Sequence, residues 1–293
     1  IFTKELSLTN SIIGISFISL HSKRAKEIAA ILKETEAVIV AGGPHATAMP
    51  QDVLSEKDVD FVVCGEGEDT FAQLCEAVMN KGDIRYISGI AYRDIDNNIK
   101  FTAARPLMED LDLLPPIPYG LLSVERYIKQ FMINPALGFR GMPIMASRGC
   151  PYSCIFCQPM HGKAVRYRSV GNVTEEMVML KRKYTLKGFN FCDDSFTSDR
   201  DWVLGLCKEI VSNKGLKGIM WSCSARVDRA DQYLLNEMAL AGCRTVWYGI
   251  ESGCQESLRQ MRKGALLTHA INASRWTKNA GIGLKVNVLI GFP

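Results

Sequence analysis

Residues 147–158 read Ser-Arg-Gly-Cys-Pro-Tyr-Ser-Cys-Ile-Phe-Cys-Gln, and the three cysteines, Cys150, Cys154 and Cys157, fall in a C-x3-C-x2-C spacing. Three thiolates this close can converge on one centre, and soft thiolates select zinc or an iron–sulfur cluster. A disulfide reading is poor, because three is odd and no secretory segment is visible. A structural zinc site normally takes four protein ligands, and clusters usually take four cysteines. No second C-x2-C or C-x2-H pair lies near enough to supply the fourth. Three ligands leave one metal position open, as a catalytic centre needs.

The elements that must position these cysteines begin with a strand at Pro143–Ala146, directly ahead of them. Four more strand-like runs follow, over 188–192, 219–224, 245–250 and 284–290. Helical patterns separate them over 174–184 (Thr174 as N-cap), 202–211, 232–241 (stopped by Gly242) and 268–280 (stopped by Gly281). Five β-α steps with short loops predict a barrel-type α/β fold, in which function collects at the carboxyl ends of the strands. Those ends carry the cysteines, Asp193-Asp194, Ser224 and Arg226, Glu251, and Gly291. Each has a plain alternative as a surface charge or a cap; together they make one polar constellation. Alternation makes Cys192 and Cys223 small core residues, although with Cys254 they could form a second cluster. Lys163, Arg166 and Arg168 could neutralise an anionic cluster or form a solvated basic face.

The Gly-Cys-Pro-Tyr-Ser-Cys context of the triad resembles the cluster loop of radical S-adenosylmethionine (radical SAM) enzymes. The resemblance implies that Cys150, Cys154 and Cys157 hold a [4Fe–4S] cluster whose fourth iron chelates SAM, with Phe156 near the adenine. It implies Asp193 or Asp194 at the SAM amino group, Arg226 near the carboxylate and Glu251 on the ribose. Ser224 and Gly291 would line the same pocket. Reductive cleavage of SAM would then give a 5′-deoxyadenosyl radical that abstracts hydrogen from a small-molecule substrate. An external electron donor of flavodoxin or ferredoxin type is implied as partner.

Upstream, strands over 12–18, 37–40 and 61–64 alternate with helical patterns over 22–35, 46–55 (broken at Pro50) and 70–79. This predicts a parallel, Rossmann/flavodoxin-like sheet with helices on both faces. Ser16, Gly42-Gly43 and Gly65-Glu66-Gly67 stand at its strand ends, where glycine lets a ligand approach the backbone or simply makes a turn. This half is similar to the cobalamin-binding domain that precedes many radical SAM barrels. By that similarity Ser16, Gly42 and Gly43 flank the nucleotide tail of cobalamin. The lower-ligand motif Asp-x-His-x-x-Gly is absent, and His45 is expected to be a satisfied loop histidine. A hairpin is expected over 86–101 around Asp94–Asn98, then a proline-rich connection at 113–118. The domains expected are a cobalamin-binding-like unit over 1–100, a linker over 101–141 and a partial barrel over 142–293.

The chain has 293 residues, 47% hydrophobic and 23% charged, with formal net charge +4 from 35 basic and 31 acidic side chains. That charge is too small to argue for nucleic acid. No apolar run reaches the ~18 residues that span a bilayer. Ten cysteines without a disulfide pattern fit the reducing cytoplasm. The start at Ile1 and the end at Gly291-Phe292-Pro293, just past an apolar strand, read as the cut ends of a longer chain. The reading is a radical SAM enzyme, with cobalamin-dependent C-methylation the leading outcome. The alternative is a non-catalytic metal-binding or electron-transfer module. A methylthiotransferase is disfavoured because the first half lacks a cysteine set for a second cluster.

Overall fold

The computed structural model describes residues 11–130, 140–158 and 160–292, and the chain divides into two units, 1–108 and 109–293. In the first, β1 (Ile12–Ser16), β2 (Val38–Gly42) and β3 (Phe61–Val63) pair in parallel and in chain order. Between them run α1 (Ser22–Lys33), then α2 (Gly43–Ala48) and α3 (Pro50–Ser55), and α4 (Glu68–Met79) follows β3. The helical pattern over 46–55 is thus two helices, and Pro50 starts the second. The sheet is covered on both faces. Ala25, Ala29, Val53 and Leu54 pack with Ile39 and Val62 on one side, and Leu74 packs with Val40 and Val63 on the other. Burial on both faces is why these strands are runs of apolar residues without alternation. The hairpin does not stand apart. β4 (Ile90–Arg93) pairs antiparallel with β3, and β5 (Ile99–Phe101) extends the sheet to five strands. Its turn closes because the Asp94 carboxylate accepts from the Asp96 and Asn98 amides at 3.0 and 2.8 Å.

The second unit opens with α5 (Val124–Gln130) and β6 (Gly141–Ile144). Much of the segment expected as linker is packed here: Tyr119, Val124 and Ile128 are buried in this unit's core. Residues 131–139 of it lie outside the described residues. A two-residue ribbon follows, β7 (Ser147–Arg148) against β8 (Arg166–Tyr167), and it closes the base of the cysteine loop. The remainder is α6 (Val170–Tyr184), β9 (Gly188–Phe191), α7 (Arg200–Ser212), β10 (Met220–Ala225), α8 (Gln232–Leu240), β11 (Cys243–Glu251), α9 (Gln255–Gln260), α10 (Leu267–Asn279) and β12 (Gly283–Val288). β6, β9, β10, β11 and β12 form one sheet, every pair parallel and in chain order. This is the winding of a partial (β/α) barrel. The helix-facing side holds the core, including Phe189, Phe191, Trp221, Val246 and Tyr248.

Caps fix where the helices start. Ser169, not Thr174, caps α6: its hydroxyl accepts from the Asn172 amide, whereas Thr174 is buried and its hydroxyl bonds the Val170 carbonyl. Asp199 and Asp231 cap α7 and α8, so Asp193 and Asp194 are free of that duty. Gly242 ends α8 at φ +95°, where an added Cβ would lie 2.2 Å from the Ile219 carbonyl oxygen. Gly281 shares the left-handed backbone, at φ +73°, but its Cβ would meet nothing within 4 Å. Gly281→Ala is therefore expected to cost about 1 kcal/mol and Gly242→Ala clearly more, above about 2 kcal/mol. Urea unfolding of the two variants checks the order; equal costs would mean that backbone conformation alone requires the glycines.

Candidate active site

The cysteine loop is shaped by its own backbone before any ligand is considered. Gly149 has φ +97°, and a Cβ there would sit 2.2 Å from the Ala164 carbonyl oxygen, so the chain can cross itself only at glycine. The Cys150 amide donates to the Gly162 carbonyl and the Cys157 amide to the Cys154 carbonyl, each at 3.1 Å. Arg166 is buried and donates to the His161 carbonyl at 2.8 Å, within the same loop. Arg168 turns away, onto Glu176 at 2.6 Å and the Met145 carbonyl at 2.9 Å. Both arginines serve the scaffold rather than a basic face, while Lys163 stays exposed and donates to Ser153.

Cys157 is exposed as a residue, yet protein around its thiol, and then the neighbouring Cys150 and Cys154, push its pKa up. A thiol whose ionisation is disfavoured in this way is a donor that a positive centre would stabilise as thiolate. Among the described residues no group of three His, Cys, Asp or Glu is gathered tightly enough for a single metal ion. Three thiolate donors on one loop suit an iron–sulfur cluster, whose ligands sit at separate corners.

The loop is held against the ends of β10 and β11. The Ile155 amide donates to the Met261 carbonyl at 3.1 Å. Arg226 is buried; its guanidinium stacks on the Tyr152 ring at 3.4 Å and points Nη1 at the Cys154 sulfur, 3.8 Å away. Its other edge is occupied: Nε and Nη2 donate to Asp228 at 2.9 and 3.1 Å, and Nη2 also donates to the Lys263 carbonyl at 2.6 Å. Tyr152 is fixed in turn by Arg229, which donates to its hydroxyl at 2.6 Å.

Glu251 lies just past a register shift in β11 and has φ +69°. Its side chain folds back over Gly249, where a Cβ would be 2.3 Å from Glu251 Oε1. Lys263, buried itself, donates to that oxygen at 3.0 Å and has its ammonium 5.8 Å from the Phe156 ring centre. The structure thus brings Cys154, Phe156, Arg226 and Glu251 into one connected set. Ser224 is exposed on the barrel-interior face, level with Trp247. Gly291 is exposed beyond β12, two residues after Leu289, whose amide donates to the Glu251 carbonyl.

The acidic pair divides. Asp193 is buried and takes the Ser147 hydroxyl at 2.5 Å and the Ala146 amide at 3.2 Å, tying the end of β9 to the chain leaving β6. Asp194 is partly exposed, accepts from the Gly149 amide at 3.2 Å and faces His161 at 3.1 Å, which holds its carboxyl below the usual aspartate range. Of the two, Asp194 is the solvent-accessible carboxylate. Cys223 is buried as expected, but Cys192 is exposed; it follows β9 on the interior side and bonds Asn190. Tyr152, Asp228 and Lys263 were not singled out in the sequence.

At the strand ends of the first unit, Ser16 pairs in register with Gly42. Gly43, at φ +84°, would place a Cβ 2.6 Å from Ser16 Oγ, whereas Gly42 and Gly65 have no atom closer than 4.0 Å to where a Cβ would be. Backbone open to this degree beside an exposed hydroxyl fits a ligand such as cobalamin lying along it. His45 is on α2, not in a loop, with Nδ1 3.0 Å from Ser19 Oγ.

The sequence profile of the radical SAM superfamily matches residues 144–293, just over half of the chain, and starts at the strand that carries the cysteine loop. The chain belongs to the radical SAM superfamily. The B12-binding domain profile matches residues 8–75, which agrees with the cobalamin-binding reading of the first unit. An uncharacterised methyltransferase of Pyrococcus horikoshii is 32% identical over 290 residues, covering 96% of this chain and 60% of that protein. Cytidylyl-2-hydroxyethylphosphonate methyltransferase of Streptomyces wedmorensis is 29% identical, covering 96% of this chain and 58% of that protein. The radical SAM methyltransferase TsrM of Kitasatospora setae shares the fold at TM-score 0.81 and 19% identity, over 96% of this chain and 57% of its own. The chain thus spans about three fifths of the length of these relatives. No helix among the described residues is long and apolar enough to cross a membrane.

Burial raises the Asp193 carboxyl to about 6 from an ordinary 3.8. The folded state then holds that proton more tightly than the unfolded state. Its contribution is complete below about pH 4 and is lost as pH rises through about 6, by up to about 3 kcal/mol. Asp193→Asn should remove this part of the slope while keeping an oxygen acceptor. Denaturation of both proteins at about pH 4, 5, 6 and 7 checks it; parallel curves would assign the slope to other groups.

Proposed function

We propose that this radical SAM protein cleaves SAM reductively and that, with cobalamin on its first unit, it methylates an unactivated carbon of a small-molecule substrate. The observation that carries the reading is the contact of Arg226, from the end of β10, with Cys154, in a set that extends through Lys263 to Phe156 and Glu251. A surface metal module has no reason to draw buried strand-end charges onto its cysteines.

When bound, the [4Fe–4S] cluster supplies the electron that cleaves SAM, and cobalamin supplies a methyl carrier. Cys150, Cys154 and Cys157 would hold the cluster and leave one iron open. Glu251 keeps Oε1 on Lys263 and offers Oε2 to the SAM ribose. Asp194, held ionised by His161, suits the SAM ammonium, and Phe156 offers a face to the adenine. Ser224 and Gly291 border the same space. The edge of Arg226 that suits a carboxylate is already bound to Asp228, so we assign this residue to the cluster side of the site and not to the SAM carboxylate. Ser16, Gly42 and Gly43 would lie along cobalamin. A flavodoxin- or ferredoxin-type donor in the cytoplasm would supply the electron.

The test is anaerobic reconstitution with iron and sulfide, reduction, and assay of products from SAM with and without cobalamin. 5′-Deoxyadenosine that disappears in Cys154→Ala, and S-adenosylhomocysteine formed only with cobalamin, are the expected results. Neither product, with zinc retained in place of iron, would support the metal-binding module.

A further inference from the structure

We infer that Arg226 is a positioning residue that sets the reduction potential of the cluster through Cys154; the inference rests on the reading of the triad as cluster ligands. The guanidinium is immobilised on three sides. Asp228 takes one edge, the Lys263 carbonyl takes a further Nη2 proton, and the Tyr152 ring covers a face at 3.4 Å. The remaining edge, Nη1, stands 3.8 Å from the Cys154 sulfur. None of these partners belongs to a substrate, so the orientation exists before SAM arrives.

An N–H directed at a ligand sulfur stabilises negative charge there, and hydrogen bonds to the sulfurs are among the levers that set a cluster's potential. Arg226 is buried and Cys154 half-buried, so the interaction is screened less than one on the open surface. Gaining one electron from a low-potential donor adds negative charge that the thiolates share, and a fixed cation favours the state with more of it. Asp228 opposes the effect, but it binds the Nε–Nη2 edge and so lies beyond the guanidinium as seen from the sulfur. Removing the arginine charge should therefore lower the potential, and removing only the Asp228 charge should raise it. A residue that merely held the loop together would not produce opposite signs.

The experiment is an EPR-monitored redox titration, without SAM, of the reconstituted protein and of two variants. The absence of SAM removes any contribution from binding its carboxylate. Arg226→Gln/Asp228→Asn takes out both charges, so no carboxylate is left buried without a partner. At a fixed poise its reduced-to-oxidised ratio is expected to fall about tenfold, which is about 59 mV for a one-electron couple. Asp228→Asn alone is expected to move the midpoint upward. Unmoved midpoints in variants that hold intact clusters, or a downward move in Asp228→Asn, overturn the inference. Should the double variant assemble no cluster, the direction of Asp228→Asn decides alone. A wild-type protein without a cluster signal overturns the reading beneath it as well, and the iron and sulfide content identifies that outcome.

Discussion

The ion pair between Glu251 and Lys263 is the interaction on which the rest of the site depends. Glu251 sits in a left-handed backbone conformation after an irregular step in β11, an arrangement that costs of order 1–3 kcal/mol and needs support from its surroundings. Lys263 supplies it by fixing the carboxylate over Gly249. The same short segment does more. The Lys263 carbonyl holds Arg226, and the Met261 carbonyl holds the amide of Ile155 in the cysteine loop. Two carbonyls and one ammonium within three residues join the ends of β10 and β11 to the triad. Both partners of the pair are largely buried, so removing either leaves a poorly solvated charge without its partner, at a cost of about 3–5 kcal/mol.

A division of labour follows from burial. Residues with every polar atom engaged hold the frame: Asp193 ties β9 to the chain after β6, Arg168 ties β8 to α6, and Arg166 holds the loop carbonyls. Asp194 and Glu251 each engage one carboxylate oxygen, on His161 and Lys263 respectively, and are the residues proposed to meet SAM. Two adjacent aspartates therefore have opposite electrostatics. Burial lifts one carboxyl towards neutrality, and a histidine keeps the other charged.

Much of this was legible in the sequence. The triad was legible because three thiolates in eight residues have few other uses, and the barrel because five apolar runs alternate with four helical periods. The strand ends followed from the rule that such sheets bind at their carboxyl edges. What was not legible has physical causes. Lys263 lies twelve residues beyond Glu251 in what reads as a basic surface loop, and only the following Gly264, at φ +70°, hints at a forced turn. The β7–β8 ribbon is two residues long, too short for any period to show. Thr174 resembles a cap, but Ser169 one turn earlier captures the orphan amide. Alternation places Cys192 in the core, yet it stands exposed beyond the last paired residue of β9.

Lys263 and Glu251 are proposed to act as a unit in holding SAM. This proposal is tested most directly by a double-mutant cycle on SAM affinity, with equilibrium binding to cluster-loaded wild type, Lys263→Met, Glu251→Gln and the double variant. Each single change is expected to weaken binding and the double change to cost less than their sum, with a coupling of about 1–3 kcal/mol. Additive losses, or undiminished affinity in Lys263→Met, would contradict it.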